Sequence, residues 1–506
     1  MKVAVLADLH LPDRSDTVKE NVFDCALKKI ADSRPEVILC VGDMITNNAV
    51  EAAKRVKEKI SKLNIPVIYA CGNTENAAEE TIGMFKHENI FSSDDLVCAA
   101  FPTEKNFNEE DFAFILENLE THKPAIIISH YLIHHFSEME KKRLDYLLAA
   151  NKNVLFVAGH EHYDRSDGIY HTVRGIDPDK ATGGMPAVVF FEYDGKDFER
   201  SDISIDLRTK DAAELQEFIS LLGISGMHET LKNFAYAARN KIASFEMRYT
   251  DAVTLPFAEL DQAVKNWRSA GGRHLSMHMP DICWNSETSE ADLKNSEAVL
   301  DLAIKLGCNR LTIHVPKCST AMLKQSDCRK KMLEAYAYII KKALPYNISI
   351  GIENMHMTSK DSCDENRRFG YIPQECKQWI SELRHICSSD KIGFHFDTGH
   401  ARNNAPFSSI YAVSTWFAEL GEYINGYHLH QVKVDKSGKF INHQPITEPF
   451  GRLISYASFF LAWQMKQIAH APIFIETSQN ADISYDILQN NFLNGTHFEQ
   501  NSFSCR

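Results

Sequence analysis

Ile350-Gly-Ile-Glu353 and Ile473-Phe-Ile-Glu476 are short apolar runs that each end on a carboxylate. A run of this kind reads as a strand buried on both faces, as in a parallel sheet. An ionised group at its buried end is costly unless it is paired or bound to metal. Working outward, comparable runs predict strands near 218–223, 243–248, 273–278, 310–314, 348–353, 391–396, 424–429 and 472–476. Helical patterns over 228–241, 259–270, 290–306, 326–343, 373–387, 408–421 and 452–469 separate them, and a last one falls near 482–493. Eight such βα units are the count and size of a (β/α)8 TIM barrel, whose active site lies at the C-terminal strand ends. His278, His314, Glu353, Asp397, His428 and Glu476 end or nearly end these strands, while His400 and His443 lie in the loops that follow.

Upstream the pattern differs. Strands are expected over 2–7, 36–41, 66–70, 124–129 and 153–158, with helices at 19–32 and 49–63. Three further strands, 168–173, 186–193 and 198–205, follow with the turn Asp194-Gly195 between the last two. The reading is a layered αββα sandwich over 1–207 and a barrel over 212–500, joined by a short charged segment. The first strand leads into Asp8-Leu-His10, and later strand ends carry Gly42-Asp43, Gly72-Asn73, His130 and Gly159-His160-Glu161-His162. Asp8 and His10, two residues apart in extended chain, face the same way and can grip one ion. Asp43 can bridge two cations, and two cations about 4 Å apart can clamp a phosphoryl group and activate water. Mixed Asp oxygen and His nitrogen is the donor set of zinc, manganese or iron sites.

Composition sets the remaining bounds. The 506 residues, 44% hydrophobic and 24% charged, are those of a soluble globular protein of two large domains. No apolar stretch approaches a membrane span, and Asp8 interrupts the only signal-like run, so a cytoplasmic protein with no membrane partner is expected. The 12 cysteines lack C-x-x-C spacing and read as reduced thiols. The net charge of −13 is uneven: 25 Lys+Arg stand against 36 Asp+Glu up to Lys210, and 30 against 32 from Asp211 onward. So acidic a first half argues against a broad nucleic-acid footprint there.

The first half resembles the calcineurin-like metallophosphoesterases. The resemblance implies two divalent metals (Mn, Fe or Zn), with Asp8, His10 and His162 on one, Asn73, His130 and His160 on the other, and Asp43 between them. That family commonly reads G-N-H-D/E where this chain has Gly72-Asn73-Thr74-Glu75, so the histidine that often protonates the leaving group is missing. His134 and His135 are candidate substitutes. The second half resembles the xylose-isomerase-like barrels, which include sugar-phosphate isomerases, epimerases and AP endonucleases of the endonuclease-IV type. By that likeness Glu353, Asp397, His428 and Glu476 hold one metal, and His278, His314, His400 and His443 match positions the nuclease branch uses for more. Ile441 stands where that branch has a ligand Asp, so one or two divalent metals (Zn or Mn) are expected in the barrel rather than three.

The expected activity is a bifunctional metalloenzyme: a phosphoesterase, and a barrel that isomerises or epimerises a phosphorylated sugar-like molecule. Glu353 and Glu476 would serve as its acid/base pair. Arg402, Lys433 and Arg367 are the candidate substrate-binding cations, Arg402 foremost because it follows His400 by two residues. The alternative is nucleic-acid end processing by both halves; a binding or regulatory protein with an inactive barrel is a third reading.

Overall fold

The computed structural model describes residues 1–77, 79–85, 89–104, 107–120, 123–206, 212–283, 289–358 and 361–494. The chain forms two compact units, one of Met1–Asp206 with Phe450–Ser458, the other of Leu207–Pro449 with Phe459–Arg506. The expected boundaries are contiguous and place 450–458 with the barrel. Among the described residues no helix is long and apolar enough to cross a membrane.

The first unit holds two sheets. One has the order β11-β10-β1-β2-β3, built from β1 (Lys2–Leu6), β2 (Val37–Cys40), β3 (Val67–Tyr69), β10 (Ala187–Tyr193) and β11 (Phe198–Ser204). The other has the order β4-β5-β6-β7-β9-β8, from β4 (Ile90–Ser92), β5 (Val97–Ala100), β6 (Ala125–Ser129), β7 (Val154–Ala158), β8 (Arg165–Asp167) and β9 (Tyr170–Thr172). Val3, Val5, Leu39 and Ile68 from one sheet share a core with Ile126, Ile128 and Val157 from the other. The opposite face of the second sheet packs Ile127 and Phe156 against Ile115, Leu119, Leu144 and Leu147 of helices Glu109–Leu119 and Glu138–Ala150. β1, β2 and β3 run parallel, as do β5, β6, β7 and β9, so each set delivers its C-terminal ends to one edge. The expected strand 168–173 is β9, shorter at Tyr170–Thr172, and it pairs in a hairpin with the unexpected β8.

In the second unit β12 (Leu222–Ser225), β13 (Ser244–Arg248), β14 (His274–His278), β15 (Arg310–His314), β16 (Ser349–Glu353), β17 (Ile392–Asp397), β18 (Ile424–Leu429) and β21 (Ile473–Ile475) close a barrel. All eight neighbouring pairs are parallel. A separate hairpin, β19 (Gln431–Val434) with β20 (Phe440–Gln444), extends beyond β18. Seven of the expected barrel strands coincide with these to within a residue or two. The first does not: helix Ala212–Leu221 takes most of 218–223, and the strand begins only at Leu222. The expected helix 408–421 is two, Phe407–Ile410 and Val413–Leu420. That expected over 452–469 is shorter, Ala457–Gln464.

Candidate metal centres

In the first unit, backbone hydrogen bonds zip the loop after β1 to the loop after β2: Asp8 N–H donates to Gly42 O at 3.0 Å and His10 N–H to Asp43 O at 2.9 Å. Gly42 and Gly72 permit the closest approaches. A Cβ on Gly42 would lie 2.6 Å from His130 Nδ1, and one on Gly72 would lie 2.2 Å from Asp43 Oδ1. All seven expected donors converge. Asp8, His10 and His162 offer ligand atoms within 4.8 Å of one another, as do Asp43, His130 and His160. Asp43 Oδ2 lies 3.8 Å from His10 Nε2 and 3.4 Å from His130 Nε2, the place of a bridge between the two groups. Asn73 Oδ1 stands 3.3 Å from His130 Nε2, and His160 Nδ1 stands 3.1 Å from the same atom. His130 Nδ1 is held by Val41 O at 3.0 Å, which leaves Nε2 turned into the cluster. Burial lowers His10 well below the usual imidazole value and His162 to about 3, so both keep a lone pair to give. Burial also pushes Asp8 up to about 7, a penalty that a cation beside it would relieve. His162 Nδ1 is buried with no hydrogen-bond partner. These features fit two divalent ions.

Thr74 shows what replaces the missing histidine. Its hydroxyl donates to Asp43 Oδ1 at 2.9 Å, and its N–H donates to the same oxygen at 3.0 Å. Glu75 accepts the N–H groups of Asp43, Met44 and Gly72 and so fixes the loop that carries the bridge. His134 and His135 are exposed, and both approach Glu161 Oε1, at 3.5 and 3.2 Å. Two lysines escaped the sequence reading: Lys180 Nζ reaches His10 Nε2 at 3.2 Å, and buried Lys19 bonds Asp177 at 2.7 Å.

The barrel gathers all eight of its expected donors at the C-terminal strand ends. His428 Nδ1 faces Glu353 Oε1 at 3.1 Å, Glu476 Oε2 at 3.4 Å and Asp397 Oδ2 at 3.7 Å, which outlines one cation position. Glu353 also turns Oε2 toward His278 Nε2 at 3.2 Å and His314 Nε2 at 3.3 Å, outlining a second. Asp397, His400, His430 and His443 form a third group with ligand atoms within 4.8 Å. The imidazoles are oriented by their other nitrogens, as metal-ligating histidines are. His278 Nδ1 sits 3.2 Å from Met279 O, His314 Nδ1 2.6 Å from Asp281 Oδ1, His400 Nδ1 3.0 Å from Asn354 O, and His428 Nε2 2.5 Å from Glu246 Oε1. Left over, buried and without hydrogen-bond partners, are His278 Nε2, His314 Nε2, Glu353 Oε2, Asp397 Oδ2, His400 Nε2, His443 Nε2 and both oxygens of Glu476. Orphaned atoms of this number, facing one another, fit divalent cations and not a hydrogen-bonded core.

Three residues here went unread in the sequence. Glu246, in the middle of β13, is fully buried and accepts from the hydroxyls of Ser276 and Thr312 as well as meeting His428. Burial opposes its charge, but the His428 imidazole outweighs burial and holds the carboxyl down at about 2. Asp281 orients His314. His430, two residues past His428, places Nε2 3.2 Å from Asp397 Oδ1 and so adds a donor to the group of Asp397, His400 and His443. Of the expected substrate-binding cations, Arg367 is already committed: its guanidinium grips Glu375, with Nη1 at 3.0 Å, and lies over Phe407. That ion pair stitches a loop to helix Pro373–Cys387, so the role expected for Arg367 gives way to a structural one. Arg402 lies over the Phe440 ring at 6.0 Å, and Lys433 is exposed on β19.

A closed parallel barrel with a histidine–carboxylate centre at its strand ends, on one chain with a two-sheet sandwich carrying another, defines the class. The chain belongs to the xylose isomerase-like TIM barrel family, whose sequence model matches residues 234–489. The calcineurin-like phosphoesterase model matches residues 1–164. Similar solved structures include a D-tagatose 3-epimerase-like protein (17% identity over 54% of this chain and 98% of that one, TM-score 0.39). Others are a putative xylose isomerase from Rhodospirillum rubrum (13%, 54% and 98%, 0.41) and a dimetal phosphatase from Danio rerio (12%, 40% and 98%, 0.32). No curated protein matches the chain.

Proposed function

We propose that the chain is a metalloenzyme with two reaction sites, a phosphoesterase in the first unit and a hydrolytic barrel that acts on a phosphorylated, sugar-like small molecule. Bound divalent cations would supply Lewis-acid charge neutralisation and water activation in both. In the first unit Asp43 holds the two donor groups together, and Thr74 is occupied by Asp43, so no side chain at that position delivers a proton to the leaving group. In the barrel the observation that carries the reading is Glu353. Its Oε1 faces one donor group and its Oε2 another, so with both groups loaded it has no oxygen left to act as a base. The acidic charge of the first half supports a small substrate over a nucleic acid there. A second reading, isomerisation or epimerisation with Glu353 and Glu476 as acid/base groups, is favoured by the placement of both carboxylates within 3.4 Å of His428 Nδ1.

The test uses the full chain carrying Asp43→Ala, so that turnover belongs to the barrel. Metal is counted by elemental analysis, and phosphorylated sugars, phosphodiesters of sugars and an abasic duplex are supplied in turn. Two or more barrel metals with phosphate-ester cleavage are expected. A single barrel metal, with conversion of a ketose phosphate to its isomer and no ester cleavage, would promote the second reading. Cleavage confined to the duplex would move the substrate to nucleic acid.

A further inference from the structure

Arg248 ends β13, paired in register with His278 of β14, at the same rim of the barrel as the metal-type donors. Its side chain is three-quarters buried, with 25% exposure, yet its guanidinium makes no hydrogen bond among the described residues. Its one ion pair there is to Glu476 Oε1 at 3.4 Å, longer than a charged N–H···O bond should be. Guanidinium donors this buried are ordinarily paired, as Arg367 is with Glu375 and Arg329 with Glu382 at 2.8 and 3.0 Å. Glu476 is moreover a poor permanent partner. Its Oε2 faces His428 Nδ1 at 3.4 Å and neither of its oxygens has a hydrogen-bond partner, so a cation bound there would draw the carboxylate away from Arg248. The guanidinium would then stand at the edge of the site with its planar fork of donors open.

We propose that Arg248 is the anchor of the barrel's substrate, taking two oxygens of a phosphoryl or carboxylate group bidentately beside Glu476. A planar fork matched to paired oxyanion oxygens is the recognition for which arginine, and not lysine, is suited. The assignment rests on the reading of the barrel as a metal-dependent site for a phosphorylated molecule, and it fixes which side of that site the anion occupies. Of the cations expected from the sequence, Arg367 is spent on Glu375, and Lys317 Nζ, in the loop after β15, is bonded to Asp281 at 2.9 Å.

The experiment is isothermal titration of inorganic phosphate, and separately of formate, into the full metal-loaded chain with Asp43→Ala, as parent and with Arg248→Gln or Arg248→Lys added. Metal content is measured on each sample. Arg248→Gln is expected to raise the Kd of the preferred anion roughly 10- to 150-fold at unchanged metal content, the range of a lost charge-assisted bond. Arg248→Lys should recover only part of it, because lysine restores charge without the fork. Which anion responds tells phosphoryl from carboxylate. A Kd within threefold of the parent for both anions, in both variants, with metal retained, overturns the assignment while leaving the metal reading intact. If Arg248→Gln does not fold, an Arg248→Lys chain that binds both anions as tightly as the parent overturns it alone. Arg248-dependent anion binding by a barrel that holds no metal would do the reverse, sinking the metal reading and upholding this one.

Discussion

The two centres use the same donor types but hold them by different physics. In the first unit Asp8, His10, Asp43, His160 and His162 all have positive φ, between 45° and 67°. A left-handed non-glycine residue costs on the order of 1 kcal/mol, so this centre stores several kcal/mol of backbone strain. Loop-to-loop hydrogen bonds such as Asp8 N–H to Gly42 O, and the Glu75 carboxylate under Asp43, hold that strain in place. In the barrel His278, His314, Glu353, Asp397 and His428 are ordinary strand residues, and only His443 of its expected ligands has positive φ. There the register of parallel strands sets the spacing: His314 lies opposite Glu353, and Asp397 opposite His428. A sandwich brings donors together by bending the chain after each strand, whereas a barrel does so by closing the sheet.

That contrast is broken most directly at the two bridging carboxylates. Asp43→Ala should abolish hydrolysis of an activated aryl phosphodiester by the first unit, a loss of at least about 10³-fold, since the bridge holds both donor groups. Full turnover by this variant would end the two-metal assignment. Glu353→Gln keeps volume but removes charge from both sides of one carboxylate. Its expected outcome is loss of more than one metal per chain by elemental analysis, with barrel turnover also falling by about 10³-fold. Loss of a single metal would mean that Glu353 serves one site and that the strand register builds two independent sites.

How legible each centre was follows from the same difference. Asp8, His10, Asp43, Asn73, His130, His160 and His162 could be read because each stands just past an apolar strand, where the chain turns. Glu246 could not, because it stands inside the run Ser244-Phe-Glu-Met-Arg248 and resembles an outward polar position; only closure of the barrel buries it. The signal available was the one that flagged Glu353, a carboxylate among apolar strand residues. His430 follows His428 by two residues at the end of β18, and the two-residue period of a strand could have found it. The first barrel strand was misplaced because Phe218-Ile-Ser-Leu-Leu-Gly223 is apolar without a period to separate helix from strand. β4 and β5 are three and four residues long, too short to stand out from their loops.

Thr74 sharpens the comparison within the first unit. With both its donors on Asp43 Oδ1, it is a support for the bridge and not an acid. General acid help is typically worth about 10²- to 10⁴-fold, so kcat/KM should fall steeply as the leaving group changes from nitrophenol to an alkyl alcohol. A series of aryl and alkyl diesters measures the slope. A flat series would reveal a proton donor elsewhere, with His135, whose ring lies 5.2 Å from that of His160, the first residue to replace.

The smallest effects expected are on stability without metal, and there the two centres should differ in sign. The pair Glu246–His428 is complete without an ion, and it lowers the Glu246 carboxyl from 4.5 to about 2. A carboxyl lowered in the folded state adds stability above its ordinary value and loses it as pH falls through the lower one. Glu246→Gln should therefore destabilise the metal-free barrel by about 3 kcal/mol at pH 7, with the difference shrinking below pH 4.5 and vanishing near pH 2. Asp8 is the opposite case: burial raises it from 3.8 to about 7. The folded state then prefers the protonated form, and the stability it contributes is present below pH 3.8 and lost as pH rises through 7. Asp8→Asn, which removes the charge and tolerates positive φ, should stabilise the metal-free first unit at pH 8 by roughly a few kcal/mol and do little at pH 3. Hydrogen exchange resolved by peptide reads each unit separately in the same chain. If Asp8→Asn instead loosens the first unit at pH 8, its strained turn is held by the Asp8 charge itself, and the distinction between a strained centre awaiting its cations and a Glu246–His428 pair complete without them would fail.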